Sequence, residues 1–303
     1  MLLLTIWPIF AIICLGFVLA RHGFPSDGFW PAAERINYFV LFPALLISSL
    51  AEAPIHDPAV LRLGAAAVVT ILIAAAGLWL VRALRPMPAA RFGPVLQGGI
   101  RFNTYLGLAI LASLAGGEGL ERAAVYLVVA VPLVNVLSIL ALTEGASMRR
   151  PLALVRAVAA NPLILACLAG FALALGGIGL PLGTAGFVSL LGQGSLPLGL
   201  LCIGAALRPA GLRADMWGLL GTGALRLLVM PALAAATGVL FGLSGLEVLV
   251  LVVFSALPTA PTAYVLTRQL NGDGPFMAAI ATTQTIAAAI TIPLVLLALD
   301  ALR

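Results

Sequence analysis

Ten apolar runs of about 20 residues, parted by short turns, decide what this chain can fold into. They cover approximately residues 2–20, 31–51, 59–84, 93–115, 119–142, 152–177, 183–207, 216–241, 245–270 and 274–299. Each is long enough to cross the hydrocarbon core of a bilayer as a helix, the one open-ended element that satisfies its own backbone there. Only 9% of the residues are charged and the mean hydropathy is +1.17, whereas soluble domains carry roughly 25% charge. The chain reads as an all-α polytopic membrane protein with no soluble domain. The first run lacks a basic leader and a small-residue cleavage site, so it reads as a retained span.

The formal net charge is +5, and all sixteen basic residues are arginine. They mark orientation. Arg21, Arg35, Arg82, Arg85, Arg91, Arg149, Arg150, Arg156, Arg208, Arg213 and Arg268 flank the loops after spans 1, 3, 5, 7 and 9. Arg62, Arg122 and Arg303 lie on the other side, and Arg101 and Arg226 fall within spans. The positive-inside rule then puts both termini outside the cytoplasm, as ten spans allow. No basic cluster interleaved with aromatics occurs, which excludes nucleic acid as a partner. Cys14, Cys167 and Cys202 sit in apolar runs without metal-like spacing and read as small hydrophobes.

The chain repeats itself. At an offset of 154, Pro8 matches Pro162, Gly16-Phe17 matches Gly170-Phe171, and Pro43 matches Pro197. At 155, Thr104 matches Thr259 and Gly117-Glu118-Gly119 matches Gly272-Asp273-Gly274. Residues 1–150 and 151–303 are thus expected to be two repeats of five spans. An odd number of spans inverts the second repeat, the plan of many secondary transporters. The same register lays Asn103-Thr104 on Pro258-Thr259, in the fourth span of each half. Span 4 holds QGGIRFNTYLGLAIL (97–111), and span 9 holds ALPTAPTAYV (256–265) with Pro258 and Pro261. Helices broken at corresponding places mark a midplane binding site, because freed backbone groups must face protein, water or ligand.

Three motifs resemble the auxin efflux carrier family. Asn103-Thr104-Tyr105-Leu106-Gly107-Leu108 is similar to its Asn-Thr-x-x-Gly-[Ile/Leu]-Pro pattern in span 4. Asn161-Pro162-Leu163 opening span 6, and Pro258-Thr259 leading to Ala263-Tyr264-Val265 in span 9, are similar to its other markers. The likeness covers the whole chain and is to the short bacterial members. It implies a scaffold of spans 1, 2, 6 and 7 and a mobile transport domain of spans 3–5 and 8–10. Spans 4 and 9 would be broken and crossed, in a fold like that of bile-acid symporters and sodium–proton antiporters. It also implies organic-anion cargo: auxin in plants, malonate or other small carboxylates in bacteria. One departure is Ala109, which stands where the family usually has proline. The break in span 4 is therefore expected to rest on Gly98, Gly99 and Gly107.

Arg101 is the sharpest candidate. Its guanidinium can bind a carboxylate bidentately; the alternatives are capping of freed carbonyls or snorkelling to the interface. Asn103, Thr104, Tyr105, Thr259 and Thr262 offer polar groups at the two breaks, while Pro258 and Pro261 set their geometry. Asn37, Gln193 and Ser195 are placed to face the cavity from spans 2 and 7, or to bond between helices. Gln284 belongs to a polar patch, Thr282 to Thr285, in span 10, with Asn135 as its rough counterpart in span 5. Arg226 has an ambiguous depth.

Absences narrow the function. Glu34, Glu52, Glu118, Glu121, Glu144, Asp273 and Asp300 all read as loops or span ends, so an antiporter using buried carboxylates is disfavoured. His22 and His56 lie in loops on opposite sides and form no relay. No protease, hydrolase or nucleotide-binding motif occurs, and the chain is not read as an enzyme. No cofactor is expected. The reading is a secondary transporter of a small organic anion, a mono- or dicarboxylate, in the inner membrane, working by elevator-like alternating access. The expected partners are that anion, the bilayer and a second copy through the scaffold spans. The rivals are a drug/metabolite exporter, whose termini would be inside, and a non-transporting membrane receptor or structural subunit.

Overall fold

The computed structural model describes residues 2–26, 28–51, 58–143, 161–180, 183–208 and 215–301. Glu52, His56, Glu144, Arg149, Arg150, Arg156, Arg213, Arg303 and the expected start of span 6 lie outside these. Among the described residues all regular structure is helical. In chain order the elements are α1 (Leu2–Arg21), α2 (Phe29–Ala51), α3 (Pro58–Leu84), α4 (Ala89–Ile100) and α5 (Thr104–Leu142). Then follow α6 (Pro162–Leu175), α7 (Thr184–Ala205), α8 (Met216–Leu240), α9 (Gly245–Ala256), α10 (Thr262–Gln269) and α11 (Gly274–Ala301).

Six helical stretches among the described residues are long and apolar enough to cross a membrane: α2, α3, the run Ala89–Leu142, α7, α8 and α11. Helix α1 from Thr5, α6 and α9 are apolar but shorter. The run Ala89–Leu142 has 54 residues, which as one straight helix would measure about 80 Å. No bilayer core, about 30 Å thick, takes that in one pass. The chain escapes it twice, by the break between α4 and α5 and by a reversal at Gly116. There the backbone adopts φ 59°, ψ −139°, a conformation open to glycine alone without strain. A methyl group at Gly119 would strike the Leu111 carbonyl oxygen. Residues eight apart on one helix stand about 12 Å apart, so the chain doubles back here, where the sequence shows its Gly-Gly-Glu-Gly turn.

Glycine also sets the closest helix contacts. Gly16 of α1 and Gly204 of α7 each press on the other helix's backbone, and Gly170 of α6 and Gly192 of α7 press on α2. Without a hydrophobic difference between lipid and leucine, close backbone approach is what holds such helices together. One large core runs from these helices, with Ile6, Leu46, Ile164 and Leu200, into α3, α4, α5, α9 and α11, which bury Leu63, Phe92, Leu106, Phe254 and Ile292.

Two π-helical turns interrupt long helices, Asn37–Leu41 in α2 and Leu225–Val229 in α8. Each carries one wholly buried polar residue, Asn37 and Arg226. A π-turn adds a residue to the helical ring and re-aims the side chains beside it.

At one end of the molecule Arg91 joins three helix starts. It donates to Asp273 at 2.9 Å and to Asp215, and lies over the Phe276 ring. Asp215 accepts from the Gly218 amide (2.9 Å) and Asp273 from the Phe276 amide (3.0 Å), so they cap α8 and α11. Arginines in such loops read from sequence as orientation signals, yet this one also clamps. Arg91→Ala is expected to destabilise the protein by about 1–2 kcal/mol, because the pairs are part-exposed and both caps survive. Thermal unfolding in detergent measures it.

Candidate functional site

The two breaks meet. Residues 101–103 part α4 from α5, and residues 257–261 part α9 from α10. Across them the Asn103 amide donates to the Pro258 carbonyl at 2.9 Å, joining the two positions that the repeat register pairs. The Asn103 side chain caps α5 by accepting from the Leu106 amide at 3.3 Å.

The expected origin of the first break needs correcting. Gly98 and Gly99 are helical within α4. They are glycines for packing: a methyl group on Gly98 would meet Ile280, and one on Gly99 would meet Leu78 and Leu225. Gly107 lies inside α5, where Phe254 and Leu257 press on it. The break falls two residues past Gly99, where Arg101 and Asn103 take extended backbone (ψ 143° and 101°). Crowding makes Gly107→Val a test of the crossing: the added methyls have no room. It is expected to lower stability by about 2 kcal/mol or more, read as a fall in melting temperature.

Broken helices leave carbonyls without partners at their C-terminal ends, and here those of Gln97, Gly98, Gly99, Phe254 and Leu257 find donors. Arg226, 1% exposed, donates from Nε to Leu257 O (2.6 Å), from Nη2 to Phe254 O (2.5 Å) and from Nη1 to Gly99 O (3.4 Å). Gln284 Nε2 donates to Gly98 O (2.9 Å) and Thr222 O (3.1 Å), while its Oε1 accepts from the Thr259 amide (2.9 Å). The Thr259 hydroxyl donates to Gln97 O at 3.1 Å. One fixed cation and two neutral side chains thus neutralise the negative ends of α4 and α9.

The opposite side of the crossing is open. A cavity of about 600 Å³ is lined there by Arg101, Asn103, Thr104, Tyr105, Pro261 and Thr262. Other walls come from α2, α5, α6 and α7, with Glu34, Arg35, Tyr38, Phe42, Asn135, Asn161 and Gly199. Arg101 Nη1 and Asn103 Nδ2 are buried, with no hydrogen-bond partner among the described residues. Tyr38 lines the chamber together with Arg101 and Asn161. The starts of α5 and α10 also border this space, and helix starts carry partial positive charge. A guanidinium, an amide donor and two helix starts therefore converge on one chamber, while the carbonyls of Gly98, Gly99, Phe254 and Leu257 are held by Arg226 and Gln284.

Six of the eleven candidate residues line the chamber and five do not. Thr259 and Gln284 are fully buried behind it as partners of backbone. Pro258 is buried and gives its carbonyl to Asn103. Asn37 accepts from the Ser195 hydroxyl at 2.9 Å, the interhelical alternative. Gln193 is exposed on the face of α7 that does not line the chamber, since it stands two residues from buried Ser195 and so points elsewhere. Arg226 is neither substrate-facing nor interfacial, but a carbonyl cap. The sequence also missed residues. Glu34, Tyr38 and Phe42 stand four apart and form one stripe on α2 that faces the chamber, a spacing visible beforehand. Glu34 was expected in a loop or at a span end, and it lies in the second turn of α2.

Residues 152–296 match the model of the family described as membrane transport protein. An uncharacterized transporter from Methanothermobacter thermautotrophicus is 26% identical over 303 positions, covering 96% of both chains. Residues 152–296 are thus similar to the membrane transport protein family, and nearly the whole chain is similar to a transporter.

Proposed function

We propose that this membrane transport protein is a secondary carrier of a small organic anion, a mono- or dicarboxylate, held at the crossing of the two broken helices. The observation that carries the reading is the division of labour between two arginines at the crossing. Arg226 spends its donors on freed carbonyls, whereas Arg101 keeps a buried donor unpaired in the chamber. A lone cation at membrane depth is costly unless something anionic visits it. Thr104, Thr262 and Asn103 add neutral donors around the same point.

In this reading the chain carries two inverted five-span repeats in the inner membrane, with both termini outside. Spans 1, 2, 6 and 7 form the scaffold, supported by the glycine-mediated contacts among α1, α2, α6 and α7. The helices carrying the crossing slide against it, so that the chamber opens to alternate sides. A second copy would pack through the scaffold. Without a nucleotide motif, gradients of solutes or the membrane potential supply the energy.

Liposomes holding the purified protein test this directly. Preloaded with one labelled carboxylate, they are expected to exchange it for external carboxylate with saturation. Binding without exchange of any mono- or dicarboxylate would contradict the carrier reading and favour a receptor. A C-terminal reporter fluorescing in the cytoplasm would contradict the orientation.

A further inference from the structure

We propose that Glu34 is a proton-binding site of the chamber, and that its protonation strengthens anion binding at Arg101. The inference rests on the anion reading above and adds a coupling ion to it.

Glu34 sits within the membrane-spanning helix α2. It lines the chamber that holds Arg101 and also a second cavity of about 380 Å³ beside it. It makes no ion pair with any described residue. A carboxylate in a spanning segment without an ion-pair partner marks an ion or proton path by default. The groups facing it decide which ion. They are Arg35 and Tyr38 on its own helix, Arg101 and Tyr105 at the break, Cys202 and Arg208 at the end of α7, and Tyr264 on α10. A metal cation needs several oxygen ligands. Glu34 is the one acidic side chain among the described residues lining either cavity, too few ligands for a metal ion, whereas a proton needs a single carboxylate and can come from water in either cavity.

The coupling follows from charge. With Glu34 ionised, its carboxylate competes with the incoming anion for the positive field of Arg101 and Arg35. When Glu34 takes up a proton, that competitor is gone and the anion binds more tightly. Linkage makes this reciprocal: the bound anion raises the proton affinity of Glu34 by the same factor.

The test uses the full chain in nanodiscs, in sodium-free buffer, with pyruvate and oxalate as probes, since both stay ionised from about pH 8 to about pH 5. Wild type is expected to bind about tenfold more tightly at the acid end. Glu34→Gln is expected to bind with the acid-end affinity at every pH. A Glu34→Gln protein that keeps the wild-type pH dependence overturns the proposal. A second measurement needs no anion: acid-induced infrared difference spectra of wild type should show a protonated carboxyl band that Glu34→Gln lacks. If no carboxylate binds wild type at any pH, the anion reading fails by itself. The infrared band then decides Glu34, and its persistence in Glu34→Gln overturns the proton site.

Discussion

Arg101→Ala is expected to abolish saturable carboxylate uptake by reconstituted liposomes while the protein still inserts and keeps its helical circular dichroism. The size of the effect follows from what is removed. Truncating one partner of a desolvated, hydrogen-bonded charge pair costs about 2–5 kcal/mol, at least about 30-fold in affinity. The fold should not suffer, because Arg101 Nη1 bonds to no described residue. Its absence even removes the cost of a buried cation. Arg101→Lys keeps the charge but loses the planar fork, and intermediate uptake is expected. Unchanged uptake kinetics in Arg101→Ala would remove the residue from the binding site.

Arg226→Leu should do the reverse: damage the fold first. Three carbonyls, of Phe254, Leu257 and Gly99, lose their donor in a place water does not reach. An orphaned buried polar group costs about 1–3 kcal/mol. Recovered desolvation of the cation offsets part of the sum, and a net loss of about 3 kcal/mol is expected. Melting temperature with and without carboxylate measures it. Arg226→Lys retains one charge but cannot span carbonyls on both broken helices, so it should recover only part. An Arg226→Leu protein that melts like wild type would show that the carbonyls find other partners. The two arginines thus make opposite predictions from one kind of side chain.

The difference between them was not legible in the sequence. Both are single arginines in apolar runs, and the fate of Arg226 depends on a π-turn and on carbonyls about thirty and more than a hundred residues away in the chain. Proline gave away the break at 257–261, because it removes a backbone donor wherever it stands. The break at 101–103 carries no such mark. It is held by the Asn103–Pro258 hydrogen bond, a tertiary contact, and the nearby glycines that suggest a break are packing positions instead. The helical, membrane-spanning character was legible because hydrophobic length alone dictates it. Gly116 was legible from its turn. Arg101, Asn103, Thr104, Tyr105, Pro261 and Thr262 were identified as polar or helix-breaking groups at depth, and the chamber collects them. Thr259 and Gln284 look the same in sequence, yet their polar groups are taken by backbone, and Asn37 Oδ1 is taken by the Ser195 hydroxyl. Which hydroxyl or amide remains free is settled by packing, not by residue type.

The most direct test of the central claim is the shift in melting temperature that a panel of acetate, pyruvate, malonate and succinate gives to wild type and to Arg101→Ala. A ligand that binds only the folded state stabilises by about 2.7 kcal/mol at a hundredfold excess over its Kd. The account predicts that at least one carboxylate raises the wild-type melting temperature and none raises that of Arg101→Ala. Equal stabilisation of both proteins would contradict it.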